Sequence, residues 1–432
     1  MKNMTAIILA AGRGTRMKSR TPKVLHKILG RSILSYVLDS VDSSGVSDVI
    51  TVVGHGRQEI ESALDGEGVK VVLQKKLLGS GDAVNSARRA VKKGVTDVLV
   101  TCGDAPLVRA ATFKRLMSKH RESGASATVL TAIMKDPASY GRIVRDGGRI
   151  TRIVEKKDAT PREEAIKEIN VGAYRFIAKD LFSAISEILP DNAKKEYYLT
   201  DVIEILKKRS LTVESVLAED ESEAIGINTS NDLARASGVM KDFVLSGLMS
   251  DGITIEDPST TTIYPGVKIG RDTTVYPNTV IESDVVIGKK CSVGPFARLR
   301  PGTRLADGAE VGNFVELVRT TIGENTKVKH HTYLGDALVG KKVNIGAGTI
   351  TANFDGRSKN KTVIGDGAFI GVGAILIAPV KIGDKATVGA GCVVPKGKNV
   401  SSGETVVGVP ARILSKERKN GPIRKKLRVH SE

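Results

Sequence analysis

The sequence predicts two folds in tandem: an α/β domain with a mostly parallel, Rossmann-like sheet, then a left-handed parallel β-helix of hexapeptide repeats. Three observations carry this. Residues 1–229 alternate strand-like and helix-like runs, the pattern of parallel strands with helical crossovers. An apolar residue then recurs every six positions, through Ile263, Ile269, Val275, Ile281, Ile287, Val293, Leu299, Leu305, Val311 and Leu317, and again from Ile364 to Val394. Between the two patterns residues 230–250 read as one continuous helix. The expected domains are therefore 1–229, a linking helix at 230–250, repeats over 251–411, and a basic tail at 412–432.

In the first domain the strand-like runs are Ala6–Leu9, Val49–Val53, Lys70–Leu73, Asp97–Thr101 and Ala127–Ile133. Helical stretches such as Ser32–Ser40, Gly81–Ala90 and Ala111–Glu122 separate them. Ligands of such sheets sit at the carboxyl ends of strands, and two motifs fall there. Residues 7–23 read IILAAGRGTRMKSRTPK, a strand that runs into a turn poor in bulk. Backbone N–H groups over residues 10–14 can approach a polyanion closely, and Arg16 and Lys23 add positive charge at the same place. The spacing is neither a dinucleotide fingerprint nor a Walker loop. The second motif, Gly103-Asp104, follows the Asp97–Thr101 run; an oxygen donor at a strand end suits a hard divalent cation.

In the second domain a period of six fits neither a helix nor an ordinary strand. It fits a six-residue unit of one short strand plus a turn, three of which close a triangular coil. The ladder is expected to falter from Ile322 to Thr351. Residues 353–362, NFDGRSKNKT, are expected to leave the coil as a loop of the kind that serves a partner or ligand.

Composition bounds the rest. At 432 residues with 41% apolar content, two cores are expected, and with 4% aromatics and no Trp they must be aliphatic. Cys102, Cys291 and Cys392 show no metal-ligand spacing and suit a reduced cytoplasm. No run approaches the ~20 apolar residues that span a bilayer, so a cytoplasmic protein without membrane insertion is expected. The net charge of +18 includes +6 from residues 412–432, with eight Lys/Arg against two Glu. The remainder is spread thinly without aromatic interleaving, which argues against a specific nucleic-acid role and for anionic small-molecule substrates or simple solubility.

The strings LAAGRGTRM, PKVLH, GDAPL, YGRI, EINVG, KEYYLTD, FARLRPG, VGNFVE, HTYLGD and VNIGAGTITANFDG together resemble those of the bacterial bifunctional uridylyltransferase–acetyltransferases that make UDP-N-acetylglucosamine. The resemblance covers nearly the whole chain. It implies an N-terminal nucleotidyltransferase domain and a C-terminal acetyltransferase. The C-terminal half would N-acetylate glucosamine 1-phosphate with acetyl-CoA. The N-terminal half would then couple N-acetylglucosamine 1-phosphate to UTP, releasing pyrophosphate, with Mg²⁺ as cofactor. A homotrimer, with acetyl sites where subunits meet, is implied as well.

Residue by residue, the resemblance implies that Leu9, Ala10, Ala11 and Gly12 cradle the nucleotide while Arg16 and Lys23 neutralise the leaving pyrophosphate. Gln74, Gly79 and Ser80 would meet the uracil. Cys102 and Gly103 would border the site, and Asp104 with Asn228 would hold Mg²⁺. Gly141, Glu155 and Asn170 would meet the sugar, with Tyr198 and Thr200 nearby. In the acetyl half His330 would be the base, with the adjacent His331 a rival. Arg300, Tyr333, Asn344, Ala347, Asn353, Phe354 and Ala390 would bind substrates.

The chain also departs from that pattern. Val318 stands where the family has Lys, Phe354 where it has Tyr, Val372 where it has Ser, and Gly408 where it has Arg. Arg300 and Val318 are one eighteen-residue coil apart and should stack, so a second cation for a sugar phosphate is missing; Arg319, next along, would point the other way in a strand. Two readings follow: a bifunctional enzyme with altered sugar-phosphate binding, or a uridylyltransferase whose β-helix is silent or takes another amine. A non-catalytic scaffold is disfavoured by the intact Arg16, Lys23 and Asp104.

Overall fold

The computed structural model describes residues 3–414; the basic tail beyond Leu414 lies outside the described residues. The chain divides into two compact units at Met240/Lys241, within a helix over Ser230–Ser250.

The first unit is built on a sheet with the strands β1 (Met4–Ala10), β2 (Val49–Val53), β3 (Lys70–Leu73), β4 (Asp97–Cys102), β5 (Ala127–Ile133), β6 (Arg142–Asp146), β7 (Arg149–Val154), β8 (Glu168–Ile177) and β9 (Val213–Leu217). The order is β9-β5-β8-β4-β1-β2-β3, with the β6–β7 hairpin attached to β8. All pairs along this order are parallel except those of β8, which runs antiparallel to both β4 and β5. Alternate residues of β1 explain the layering. Ala6, Ile8 and Ala10 share a core with Leu34, Val37, Phe113 and Leu116 from helices over Ile33–Ser43 and Ala110–Ser123. Ile7 faces the opposite core with Val84, Leu181, Phe182, Val202 and Ile203 from helices over Ser80–Ala87, Ala178–Ile185 and Asp201–Lys208. A strand buried on both faces must read as an unbroken apolar run, which is why Met4–Ala10 was legible. The antiparallel β8 and the short helix Asp201–Lys208 carry weaker patterns and were not among the expected elements.

The second unit is the β-helix. Its coils pair in parallel at eighteen residues, as Ile263 with Ile281, Ile281 with Leu299, and Leu299 with Leu317. The ladder residues line one continuous interior, with Ile263, Val275, Ile281, Val293 and Leu299 at 0% exposure and Ile269 partly buried.

The expected faltering after Leu317 is corrected. The interior row continues as Ile322, Val328, Leu334, Val339 and Ile345, all buried. Two units, Leu317 to Ile322 and Leu334 to Val339, hold five residues instead of six, so these coils contain seventeen: Glu310 pairs with Lys327, and Asn313 with His330. Each shortened unit turns on a left-handed residue, Arg319 (φ 47) and Asp336 (φ 51). The Arg319 guanidinium holds the Asp336 carboxylate in two bonds of 2.6 and 2.8 Å, which ties the two corners together. Residues 353–361 do leave the coil: Asn344 pairs with Phe369, twenty-five residues on instead of eighteen. The excursion closes on itself, with Asp355 accepting from the backbone of Arg357 and Ser358. Buried threonines between coils add a polar spine: Thr326 Oγ1 donates to Gly340 O at 2.7 Å and accepts from Val343 N at 3.0 Å.

Candidate active sites

At the carboxyl ends of β1 and β4 the first unit opens a cleft of about 590 Å³. Leu9, Ala10, Ala11, Gly12, Arg16, Lys23, Gln74, Gly79, Ser80, Cys102, Asp104 and Asn228 all line it. The glycine turn is compact because Gly14 sits at φ 61, and a Cβ there would lie 2.9 Å from Lys23 Cβ. Turn and lysine are therefore packed together, and a side chain at residue 14 would push them apart.

Asn228 is 124 positions from Asp104 yet adjacent in space, because Ile227 N donates to the Asp104 carbonyl at 2.9 Å. Thr229 makes this possible. Its hydroxyl accepts from Asp232 N, and the Asp232 carboxylate in turn accepts from the N–H groups of Asn228 and Thr229, a capping arrangement that starts the Ser230–Ser250 helix.

The side-chain oxygens of Asp104 and Asn228 converge on one cation. Lys23 Nζ donates to Asp104 Oδ2 and, at 3.1 Å, to Asn228 Oδ1, which also accepts from Arg16 Nη2 at 2.8 Å. Two hard oxygens aimed at a positive group form the donor set that Mg²⁺ takes from a protein while phosphates and water complete its shell. The residues present fit that ion.

Gln74 is buried, and its amide donates to Gly79 O at 3.0 Å and Asp82 Oδ2 at 2.7 Å. Ser80 Oγ accepts from Leu199 N at 2.9 Å and keeps its proton to donate. Gly79 (φ 117) comes so close to Tyr197 that any Cβ would meet backbone at 2.5 Å. That contact brings Lys194 and Glu196 to the cleft wall, residues not singled out from the sequence although Lys194 directly precedes the KEYYLTD string and Glu196 lies within it.

Gly103, Gly141, Glu155 and Asn170 lie off the cleft lining but connect to it. Gly103 N donates to Leu9 O at 2.9 Å. A Cβ on Gly172 would lie 2.9 Å from Cys102 Sγ; Gly172 N donates to Asn170 Oδ1 at 3.1 Å; and Asn170 N donates to Gly141 O at 2.9 Å. Glu155 accepts from Thr200 Oγ1 at 3.3 Å. Burial raises the Glu155 carboxyl above its ordinary range. Burial, then the negative charge of Glu155, pushes Asp201 up to about 6. Burial likewise pushes the Cys102 thiol up to about 12, so it is no nucleophile at neutral pH.

On the β-helix the acetyl-site candidates sit on adjacent coils. His330 is exposed, with Nδ1 2.8 Å from Asn313 Oδ1. His331 instead takes φ 44 and stacks on Phe314 at 4.9 Å, so it shapes the corner. Tyr333 and Asn353 converge over Gly335, where a Cβ would lie 2.6 Å from both the Tyr333 hydroxyl and Asn353 Nδ2. Asn353 also donates to Asp336 Oδ2 at 2.5 Å. Asn344 lies one coil below Phe369. Ala347 O accepts from Gly373 N at 2.7 Å, and Ala390 N lies against Gly371. Phe354 and Val372 are largely exposed.

The stacking of residues 300 and 318 follows from the register of Arg298 with Glu316 and Leu299 with Leu317. Val318 is 3% exposed. Arg300 Nη1 donates to Glu316 at 2.8 Å. Arg319 is committed to Asp336 and sits at a left-handed corner, and this, more than strand alternation, keeps it from acting as a second cation beside Arg300.

A phosphate-cradling cleft on an α/β sheet, joined to a hexapeptide β-helix, defines a two-domain transferase. The MobA-like NTP transferase domain matches residues 6–197, and the bacterial transferase hexapeptide (six repeats) matches residues 361–396. Proteins named "Bifunctional protein GlmU" are similar over most of the chain. The one from Heliobacterium modesticaldum is 42% identical, covering 97% of this chain and 96% of its own. Those of Pelotomaculum thermopropionicum and Geobacillus sp. WCH70 are 44% and 43% identical, covering 88% and 95% of this chain and 90% and 94% of their own. A solved putative glucose-1-phosphate thymidylyltransferase from Bacillus anthracis is 20% identical over 55% of this chain and 94% of its own, with a TM-score of 0.45. The chain belongs to the GlmU family of bifunctional proteins, enzymes with a uridylyltransferase and an acetyltransferase domain. Among the described residues no helix is long and apolar enough to cross a membrane.

Proposed function

We propose that the chain makes UDP-N-acetylglucosamine in the cytoplasm by acetylating glucosamine 1-phosphate and then transferring uridylate from UTP to the product. The observation that carries the second step is the convergence of Arg16 and Lys23 on Asp104 and Asn228 beside the glycine turn. A phosphate oxygen of the sugar attacks the α-phosphorus of UTP, the bond to the β-phosphate oxygen breaks, and pyrophosphate leaves. Backbone N–H groups of residues 10–14 would hold the triphosphate, and Arg16 and Lys23 would offset the charge that grows on the leaving group. Asp104 and Asn228 would hold Mg²⁺, which when bound shields the triphosphate. Gln74 and Ser80 would meet the base; Gly141, Glu155 and Asn170 would meet the sugar.

In the first step the glucosamine amine attacks the thioester carbonyl of acetyl-CoA, the C–S bond breaks, CoA leaves as the thiolate, and His330 takes the amine proton. Arg300, Tyr333, Asn344, Ala347, Asn353, Phe354 and Ala390 would line the substrates. With Val318 buried and Arg319 paired elsewhere, the sugar phosphate is held more weakly than by two cations. The exposed coil faces support a homotrimer, and light scattering that finds a monomer at micromolar concentration would remove it. Two assays test the whole reading: Mg²⁺-dependent pyrophosphate release from UTP with N-acetylglucosamine 1-phosphate, and CoA thiol release from acetyl-CoA with glucosamine 1-phosphate. No pyrophosphate release would defeat the first assignment; no thiol release would defeat the second.

A further inference from the structure

The geometry points to Asn313 as a positioning residue that holds the His330 ring with Nε2 unprotonated; we propose this role for it, and it rests on the reading of His330 as the base. His330 Nδ1 and Asn313 Oδ1 are 2.8 Å apart. An amide oxygen only accepts, so the ring nitrogen facing it donates and carries the proton of the neutral ring. That leaves the lone pair on Nε2, the nitrogen turned away from the protein partner. An imidazole free in water carries its proton mostly on Nε2, so this bond reverses the ordinary preference and readies the outer nitrogen to accept.

The pair is built into the coil. Asn313 and His330 are register partners in the two longest strands of the β-helix, Glu310–Val318 and Lys327–Gly335, brought opposite each other by the seventeen-residue coil. A full eighteen-residue coil would have placed His331 over Asn313. Each member precedes a left-handed residue, Phe314 (φ 56) and His331 (φ 44). The rings of these two stack at 4.9 Å, with Phe296 stacked on Phe314 at 5.2 Å. Thr332 Oγ1 donates to the His330 carbonyl at 2.7 Å. The stacked corner fixes both backbones, so the side chains leaving just before it meet in one geometry.

The test uses the full-length protein labelled with ¹⁵N at histidine only, studied by magic-angle-spinning NMR above the ring's protonation range, with the His330 signals assigned by their loss in His330→Gln. The expected wild-type spectrum shows a protonated Nδ1 and an unprotonated Nε2. Asn313→Leu is expected to move the proton toward Nε2 and to lower the acetyl-transfer kcat roughly two- to tenfold, with the KM for acetyl-CoA unchanged. Asn313→Asp keeps an acceptor oxygen and is expected to keep the wild-type tautomer. A protonated Nε2 in the wild type, or unchanged shifts in Asn313→Leu, overturns the proposal; if Asn313→Leu fails to fold, the wild-type spectrum decides alone. Failure of the underlying reading looks different: His330→Gln would then retain full acetyl transfer whatever tautomer the spectrum shows.

Discussion

The two halves of the chain place their chemistry in contrasting ways. In the nucleotidyltransferase unit the polar residues gather in a cleft and engage one another: Lys23 bridges Asp104 and Asn228, and Arg16 donates to Asn228. On the β-helix the corresponding groups are spread over adjacent coils. Several of them are engaged locally, Arg300 with Glu316 and Asn353 with Asp336. A concave site collects its groups from many distant segments, so losing one disturbs many neighbours. A ladder of parallel coils carries each group on its own rung, where it can be exchanged with little effect on the rest. Val318 and Val372 lie on the coils, whereas Phe354 lies on the excursion that leaves them.

The sharpest way to break this comparison is to remove the proposed base. His330→Gln is expected to lower acetyl transfer by about 10²–10⁴-fold while pyrophosphate release from UTP is unchanged. A matching loss of both activities would show that the two halves are not independent.

Next in size is the cleft. Arg16→Ala is expected to lower uridylyl transfer about 10²–10³-fold, the usual cost of one preorganised partner of developing charge, and to leave acetyl transfer intact. Lys23→Ala should do the same and have a second effect. Because Lys23 occupies the oxygens that would take the metal, its removal should tighten Mn²⁺ binding to the UTP-free protein, read by the loss of the free-ion EPR signal. Weaker or unchanged Mn²⁺ binding would mean that Asp104 and Asn228 are not the metal's ligands.

Much of the first unit was legible because central strands such as Met4–Ala10 and Val49–Val53 are buried on both faces and the phosphate cradle is local in sequence. The Asn228 partnership was not legible from spacing: it depends on one backbone bond from Ile227 to Asp104 and a helix cap at Thr229. In the β-helix the period of six showed the fold, and the two five-residue units were hidden because each shifts the ladder by one place and looks like loss of pattern. The same slip decided the fate of Arg319. Strand alternation puts it on the opposite face, whereas in the structure it turns the corner and binds Asp336.

Val318→Lys tests how freely a rung can be exchanged. A second cation beside Arg300 should lower the KM for glucosamine 1-phosphate roughly tenfold or more, as for one charge-assisted hydrogen bond, with kcat little changed. Arg319→Ala should leave that KM alone, because its guanidinium serves the corner. A large rise in KM for Arg319→Ala would show that it reaches the phosphate after all.

The smallest expected effect sets one carboxylate of each unit against the other. Burial, then Glu155, Glu204 and Asp158, pushes Asp201 up to about 6, while the bond from Arg319 holds Asp336 below its ordinary value. The signs are opposite. The folded protein keeps the Asp201 proton after the unfolded chain has released it, so stability is lost as pH rises from about 4 through 6, and the penalty is complete above that window. The unfolded chain keeps the Asp336 proton after the folded protein has released it, so that stabilisation is present above the ordinary carboxylate pKa and lost as pH falls through the depressed one. Asp201→Asn should therefore raise the melting temperature of its transition at about pH 7 and give no gain below about pH 4. Asp336→Asn should lower the melting temperature at neutral pH, and the deficit should shrink on acidification. Calorimetry of both variants across pH 3.5–8 reads the two trends side by side; a gain for Asp201→Asn that is the same at every pH would mean the carboxyl is not strained by its burial and its acidic neighbours.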